Sequence, residues 1–575
     1  MKRLAKYLAP YWSYILLAVV LLFGQAMCDL TLPDYMADIV NEGIANGNTS
    51  EVLSVGIKML ALSLIGAFCA VAVGFLAARV AAGTCKTIRE DLFHKVEYFS
   101  NAEFDKFSAS SLITRTTNDI TQVQTLIFMV IRLAFYAPIM GVGGVAHALA
   151  KSKSMSWIIV VSVVCLLGLI AVVFLIAMPK FRVIQKLIDR LNLVVRENLS
   201  GMLVIRAFNT QRFEERRFDR ANSDLTNTNL FVNRVMSCMM PTMMLIMNLA
   251  TVLIVWVGAK QVAAFQLDVG DMMAYMQYVM QIIMAFLMLS MMFIMIPRAS
   301  VSADRIADVL ETEPSIRNQK HAQRMESCEG IVRFEGVSFR YPGASEDVLH
   351  NIDFVARPGE TTAFIGSTGS GKSTIINLIP RFYDVTEGAI TIDGADVRAL
   401  DIHDLRCQIG YVPQKGLLLS GTIRSNLSYA DPKATEEEIE AGAEIAQAME
   451  FISSKPYGYE TPIAQGGGNV SGGQKQRLSI ARALVKRPQI YLFDDSFSAL
   501  DFKTDANLRA ALREKTGGAT TLLVAQRIST IMQAEQIIVL ENGCIVGRGT
   551  HDELMKTCEI YREIALSQLS EEELA

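Results

Sequence analysis

The chain has 575 residues, of which 51% are apolar and only 19% charged. An ordinary soluble chain carries about 25% charged residues, so part of this one belongs in lipid. Its 54 basic and 58 acidic residues nearly cancel, to a formal charge of −4, which excludes the global basic excess of a nucleic-acid partner.

Six runs contain no Asp, Glu, Lys or Arg: 8–28, 59–78, 133–150, 154–179, 235–259 and 272–296. A helix needs about 20 apolar residues to cross the hydrocarbon core, so the pattern predicts six spans. The first run is too long for a signal peptide and ends in Met27-Cys28-Asp29, without a small-residue cleavage site. The stretch 29–57 has no Lys or Arg, whereas 180–234 has eleven and 79–124 has six. Basic loops stay on the cytoplasmic side. Both long loops, the N-terminus and everything after the sixth span are therefore expected in the cytoplasm, with the spans in the cell (inner) membrane. Lys151 and Lys153 run against this asymmetry.

The loops 87–124 and 180–233 are polar and helical in pattern, as extensions of the spans. Long loops inside a bundle are usually functional. Asp29 and Arg132 lie at or beside span ends, where a charge is either functional or simply snorkels to the interface. The last span carries Met276, Met280, Met284, Met288 and Met292 every fourth residue, along one helix face. Methionine is flexible and polarizable, which suits an adaptable cavity wall; ordinary packing or lipid contact gives the same stripe. Phe286, Phe293, Gln277 and Gln281 share that span. Nine Cys without any C-x-x-C spacing argue against a disulfide framework and a zinc site.

Composition changes near Pro297. We read residues 1–300 as a transmembrane domain, 301–329 as a linker and 330–575 as a soluble domain. The fold class is an all-α six-helix transmembrane domain with long cytoplasmic helical extensions, followed by an α/β phosphate-loop domain. Strand-like runs at 332–339, 362–365, 490–493, 521–524 and 536–540 alternate with helical ones, which implies a largely parallel sheet flanked by helices.

The run Gly366-Ser367-Thr368-Gly369-Ser370-Gly371-Lys372-Ser373-Thr374 matches G-x-x-x-x-G-K-[ST] between an apolar strand and a helix. Its glycines let backbone N–H groups cradle phosphate oxygens, and the helix N-terminus adds a positive dipole end. Lys372 is expected on the β- and γ-phosphates and the Ser373 hydroxyl on Mg²⁺. The apolar strand 490–493 ends in Asp494, which sets a carboxylate beside that loop to hold the Mg²⁺.

Val470-Ser471-Gly472-Gly473-Gln474-Lys475-Gln476-Arg477 resembles the signature motif of ATP-binding-cassette (ABC) proteins. Six spans ahead of one such cassette resemble an ABC half-exporter over the whole chain. The resemblance implies ATP and Mg²⁺ as cofactors and extends to other positions. Tyr341 resembles the aromatic residue that stacks on adenine. Gln414 resembles the glutamine that touches Mg²⁺ and the attacking water. Asp501 sits in the equivalent of the loop that crosses the dimer interface, and 461–467 in that of the segment facing the membrane domain's loops. Ser471, Gly472, Gly473 and Gln474 would close over the ATP of a second cassette. Phe104 and Asp105, with Phe208 and Gln211, lie near the tips of the two loops, where the family has coupling helices that dock on cassettes.

Three positions depart from the family pattern. Asp495 stands where the catalytic glutamate is usual, Gln526 where a switch histidine is usual, and Gln465 where an acidic residue is usual. Asp is one methylene shorter than Glu, a loss of reach of about 1.5 Å, and a misplacement near 1 Å can cost about 100-fold in rate. A glutamine can hydrogen-bond a phosphate but cannot carry a proton or a positive charge. The expectation is a site that binds ATP and hydrolyses it poorly, paired with a second, non-identical half-exporter. This resembles the degenerate-site subunit of heterodimeric bacterial multidrug exporters, which move amphipathic small molecules outward. A homodimer with Asp495 as a weaker base, a lipid or lipopeptide flippase, and an ATP-gated regulatory or channel-like protein remain as alternatives.

Overall fold

The computed structural model describes residues 2–325, 327–516 and 518–569; the side chains of Lys2, Arg182, Met291, Phe293 and Ile294 lie outside the described residues, and with them the expectation for Phe293. The chain divides into two compact units. One is Met1–Glu97 with Ser110–Thr312, the other Tyr98–Ala109 with Glu313–Ala575.

The chain's first nine helices are α1 (Trp12–Asp38), α2 (Thr49–Glu97), α3 (Asn101–Phe107), α4 (Ala109–Thr114), α5 (Ile120–Lys151), α6 (Ser156–Ser200), α7 (Met202–Ala207), α8 (Gln211–Ala263) and α9 (Val269–Glu311). All except α3 and the first residue of α4 belong to the first unit. Among the described residues six continuous helical stretches are long and apolar enough to cross a membrane, and each holds all or nearly all of one charge-free run. Helices α2, α6, α8 and α9 have 49, 45, 53 and 43 residues. At 1.5 Å per residue they reach about 65–80 Å, against a hydrocarbon core of about 30 Å. The surplus consists of the polar loop sequences, which are helical as their pattern predicts. Helix α9 runs on to Glu311 because Ala303, Ile306, Ala307 and Val309 bury one face. The first eleven residues of the expected linker are therefore helix.

In this unit α1, α2, α5 and α9 pack on one another, while α6 pairs chiefly with α8. Tyr275, Tyr278, Ile282, Leu30 and Ala137 are fully buried at the first of these contacts. Large side chains such as Phe68, Val71 and Phe75 point outward from α2. Such an apolar exterior suits lipid or a partner helix and not water. The methionine stripe runs from surface to core: Met280 and Met284 are exposed, Met276 and Met288 half-buried, and Met292 buried.

Several polar groups inside the bundle pair across helices. Lys151 Nζ lies 3.2 Å from Asp34 Oδ1 on α1 and 2.9 Å from Asp271 Oδ1 on α9. His147 Nδ1 lies 3.1 Å from the other Asp34 oxygen. The lysine that broke the charge asymmetry is thus neutralised by two carboxylates on other helices. The Tyr136 hydroxyl donates to Asp29 Oδ2 at 2.7 Å, so Asp29 bonds across helices and does not snorkel. Arg132 is exposed on the bundle's surface.

The second unit contains β1 (Val332–Phe339), β2 (Leu349–Ala356), β3 (Thr361–Gly366), β4 (Glu387–Ile392), β5 (Ala395–Asp396), β6 (Ile409–Val412), β7 (Gly421–Thr422), β8 (Pro462–Ile463), β9 (Ile490–Asp494), β10 (Thr520–Val524), β11 (Gln536–Glu541) and β12 (Cys544–Gly549). Six of them form a sheet in the order β12-β11-β3-β10-β9-β6, parallel except for β12. Its central strands are apolar on both faces, as a sheet covered on both sides must be: β9 is buried throughout. A four-stranded antiparallel sheet, β2-β1-β4-β5, and a short β7-β8 pair complete the unit.

Helix α3 joins this second unit from far away in the chain. Ser100 caps it, and Glu103 reaches back to the Ser100 N–H at 2.9 Å and accepts from the Ser315 N–H at 3.1 Å. Burial pushes the Glu103 carboxyl up, but the hydrogen bonds from Ser100 and Ser315 outweigh it and hold the group below its usual range. The Tyr383 hydroxyl donates to Asp105 at 3.3 Å.

Lys151→Met leaves Asp34 and Asp271 facing each other without a cation. Removing one partner of a fully buried ion pair costs about 3–5 kcal/mol; for this half-buried cluster the expected loss is about 1–3 kcal/mol. The expected outcome is a lower melting temperature of the detergent-solubilised protein, restored by Lys151→Arg, with both read by thermal unfolding.

Candidate functional site

The parallel strands end at one edge of the six-stranded sheet, and their loops enclose a cleft. Ligands of open α/β sheets bind outside these carboxyl ends. Val524 of β10 pairs with Phe364 of β3 on one side and with Asp494 of β9 on the other. The loop after β3, the two carboxylates at the end of β9 and Gln526 after β10 therefore come to the same edge.

The cleft holds about 460 Å³ and is lined by Gly366, Ser367, Thr368, Gly369, Lys372, Ser373, Gln414, Asp495 and Gln526, among others. Gly371 precedes the helix Lys372–Leu378 at φ +97°, and a Cβ there would stand 2.5 Å from the Leu349 side chain. At Gly366 a Cβ would meet the Leu540 carbonyl oxygen at 2.0 Å. Both positions accept only glycine, so the loop can wrap a phosphate with its backbone. Lys372 Nζ donates to the Gly366 and Ser367 carbonyls at 2.9 and 2.6 Å, which holds the ammonium within the loop. Burial pushes the Lys372 ammonium below its usual range, and the carboxylates of Asp495 and Asp494 oppose this.

The Ser373 hydroxyl donates to Asp494 Oδ1 at 2.7 Å. Asp494 and Asp495 are both only 6% exposed. Burial pushes the Asp494 carboxyl up, the Ser373 hydrogen bond lowers it, and the charge of Asp495 raises it again. A hydroxyl and two adjacent buried carboxylates form an all-oxygen donor set, of the kind a hard cation such as Mg²⁺ takes. Two amides converge on one oxygen of Asp495: Gln526 Nε2 donates to Oδ2 at 2.6 Å and Gln414 Nε2 at 3.1 Å.

Other predicted residues stand behind or away from the cleft. Ser370 is buried, and its hydroxyl lies 3.3 Å from Lys372 Nζ. Thr374 is buried and bonded at 3.0 Å to the Tyr341 hydroxyl. Tyr341 packs edge-on against Phe339 and Tyr383, beside the cleft and not in its wall. Ser471 caps the helix Gly472–Val485 and, like Gly472, is exposed. None of the four signature residues lines this chain's own cleft. Asp501 caps the helix Phe502–Lys515, accepting from the Thr504 N–H at 2.9 Å and the Thr504 hydroxyl at 2.8 Å. Those two hydrogen bonds hold its carboxyl below the usual range. Phe104 is 39% exposed and Phe208 75%. Gln211 begins α8, and α7, just before it, has no buried residue.

Sequence reasoning missed one wall. Ile560, Glu563 and Ile564 of the helix Glu559–Leu566, with Gln568 just beyond it, line the cleft. Their spacing of three and four residues puts them on one helix face, but nothing in the sequence says what that face meets.

Residues 15–286 match the family described as "ABC transporter transmembrane region", and residues 349–498 the family described as "ABC transporter". An uncharacterized ABC transporter ATP-binding protein of Mycobacterium tuberculosis is 41% identical over 571 residues, 98% of this chain and 97% of its own length. The chain belongs to the ABC transporter family. A second relative of this ABC transporter, YfiB of Bacillus subtilis, is 38% identical and covers 100% of this chain and 99% of its own. A fatty acid ABC transporter ATP-binding/permease protein of Mycobacterium bovis is 33% identical over 84% of this chain and 76% of its own. A bacterial Atm1-family ABC exporter solved with ATP bound has the same fold, with a TM-score of 0.77, 23% identity and 99% coverage of both chains. The protein is therefore a multi-pass half-transporter with an ATP-binding cassette.

The raised Asp494 carboxyl gives a signed prediction for this cassette. A group whose folded-state pKa is raised stabilises the fold in its protonated form. That contribution is complete below the unfolded value of about 3.9 and is lost as pH rises through the folded value. Asp494→Asn cannot ionise. It is expected to raise the neutral-pH melting temperature of the nucleotide-free protein by about 2–4 °C, to flatten its dependence on pH, and to weaken Mg²⁺-dependent ATP binding. Differential scanning fluorimetry across a pH series, with and without MgATP, reads all three.

Proposed function

We propose that this chain is one subunit of an ATP-driven exporter for amphipathic small molecules, and that it works with a second, non-identical half-exporter. Its own cleft binds MgATP and hydrolyses it poorly. Lys372 and the loop backbone hold the phosphates, while Ser373, Asp494 and Gln414 hold Mg²⁺, which neutralises phosphate charge when bound. Ser471, Gly472, Gly473 and Gln474, of which the first two are exposed, complete the partner's site. The basic loops put the cassette on the cytoplasmic face of the cell membrane. The exposed tip formed by α7 and Phe208 gives the partner an apolar surface to meet.

The observation that carries this reading is the environment of Asp495. The carboxylate that should take a proton from an attacking water has Oδ2 bound by two amide donors, Gln526 and Gln414. Neither amide can accept and relay that proton. Asp495 also adopts φ +45°, a strained setting for a non-glycine residue, and is a methylene short of the usual glutamate.

A lipid-like substrate is the second reading. It is favoured by the fatty acid transporter relative and by the exposed Met280 and Met284, flexible apolar side chains that would suit an acyl chain.

The chain purified alone is expected to hydrolyse ATP slowly, and co-expression with a complementary half-exporter to raise turnover by at least about tenfold. Asp495→Glu with Gln526→His is expected to raise turnover of the isolated chain. Brisk hydrolysis by the unaltered homodimer would overturn the asymmetric reading. Inverted vesicles separate the substrate classes: ATP-driven uptake of amphipathic dye supports the first, and movement of labelled fatty acid without dye uptake supports the second.

A further inference from the structure

The residues after β10 form a three-residue loop, Ala525-Gln526-Arg527, before the short helix Ile528–Ile531. One side chain from the C-terminal segment grips this loop twice. Gln568 Oε1 accepts the Ile528 N–H at 2.8 Å, and Gln568 Nε2 donates to the Gln526 carbonyl at 2.8 Å. The two bonds bracket Arg527 as a neighbouring strand would, and the second of them fixes the carbonyl of Gln526. Arg527 holds the same loop from elsewhere, with its guanidinium donating to the Ser498 and Leu500 carbonyls at 3.3 and 3.5 Å. Gln568 itself rests on an anchored support. In the preceding helix Tyr561 and Ala565 are fully buried, and the Tyr561 hydroxyl shares a 2.7 Å hydrogen bond with His551 Nδ1.

Gln526, whose carbonyl Gln568 holds, is the residue whose amide reaches Asp495 at 2.6 Å across the phosphate end of the cleft. Fixing the carbonyl of Gln526 holds the peptide plane that leaves its Cα, which limits the directions its side chain can take. We infer that Gln568 is a positioning residue for the nucleotide site: it sets the direction of Gln526 and thereby the contact this cassette makes with the terminal phosphate of ATP. The inference rests on the proposal that this chain's own cleft binds MgATP; it does not depend on how fast that ATP is hydrolysed.

Gln568 is exposed, so shortening it opens no core. Loss of these two hydrogen bonds sets the size of the effect. In the full-length detergent-solubilised chain, Gln568→Ala is expected to weaken binding of fluorescent MgATP by about 3- to 10-fold. Fluorescent MgADP, which lacks the terminal phosphate, should bind as before. Gln568→Glu keeps the acceptor for Ile528 but turns an oxygen towards the Gln526 carbonyl, and should weaken MgATP binding at least as much. In a Gln526→Ala background the Gln568→Ala effect should vanish, since the two act through one contact. Equal losses for ATP and ADP, additive effects of the two substitutions, or unchanged ATP binding in both Gln568 variants would each overturn the inference alone. Failure of the unaltered chain to bind MgATP would overturn the reading of the cleft, and this inference with it.

Discussion

Val524 faces Phe364 across one ladder and Asp494 across the other, and the chemistry of the cassette depends on that double register. A strand's side chains alternate between faces, so a slip by one residue would turn every group at its end to the opposite face. Here the slip is prevented by burial. Leu522 and Leu523 are both buried, and so are Ala363 and Phe364 beside them and Leu492 and Phe493 on the other side. The apolar core thus aligns three loops that bring Lys372, Ser373, Asp495 and Gln526 to the cleft. Lys372, the adjacent pair Asp494 and Asp495, and Gln526 lie apart in the chain and meet because the strands beneath them are in step.

The membrane unit is governed by the opposite constraint. Apolar burial supplies little specificity between helices when lipid is as apolar as the helices themselves. The helices α1, α5 and α9 are tied instead by paired charges and hydroxyl-to-carboxylate bonds. Lys151 between Asp34 and Asp271 is one such tie, and Tyr136 on Asp29 is another. At the other end of α9, Arg3 donates to Asp308 at 2.9 Å and also pairs with Glu311.

What could be read in the sequence was whatever depends on neighbours along the chain. The six spans follow from uncharged stretches, and the phosphate loop from glycine spacing between a strand and a helix. Asp494 was legible because an apolar strand ending in a carboxylate has its own local pattern. Contacts that join distant segments left no such trace. Lys151 looked only like an exception to charge asymmetry, because its partners sit on two other helices. Gln568 bonds to backbone atoms about forty residues away, and backbone atoms carry no sequence identity. The limit of α9 was missed because its last turns are polar on one face and buried on the other, and composition alone averages the two. The wall formed by Ile560, Glu563 and Ile564 was missed for a related reason: a helix face is visible in a sequence, but its destination is not.

The membership of α3 in the second compact unit bears on how the protein is made. Residues 98–109 leave the ribosome some two hundred residues before the segment they pack with. Until Ser315 and Tyr383 exist, Glu103 has only Ser100 of its own cap, and Asp105 lacks the hydroxyl it accepts from. This stretch must stay open while four more spans are inserted, and it finds its place only when the later domain folds around it. Synthesis therefore ends by stitching the two halves of the polypeptide together, and a cassette expressed from Glu313 onward would lack a piece of its own folded unit.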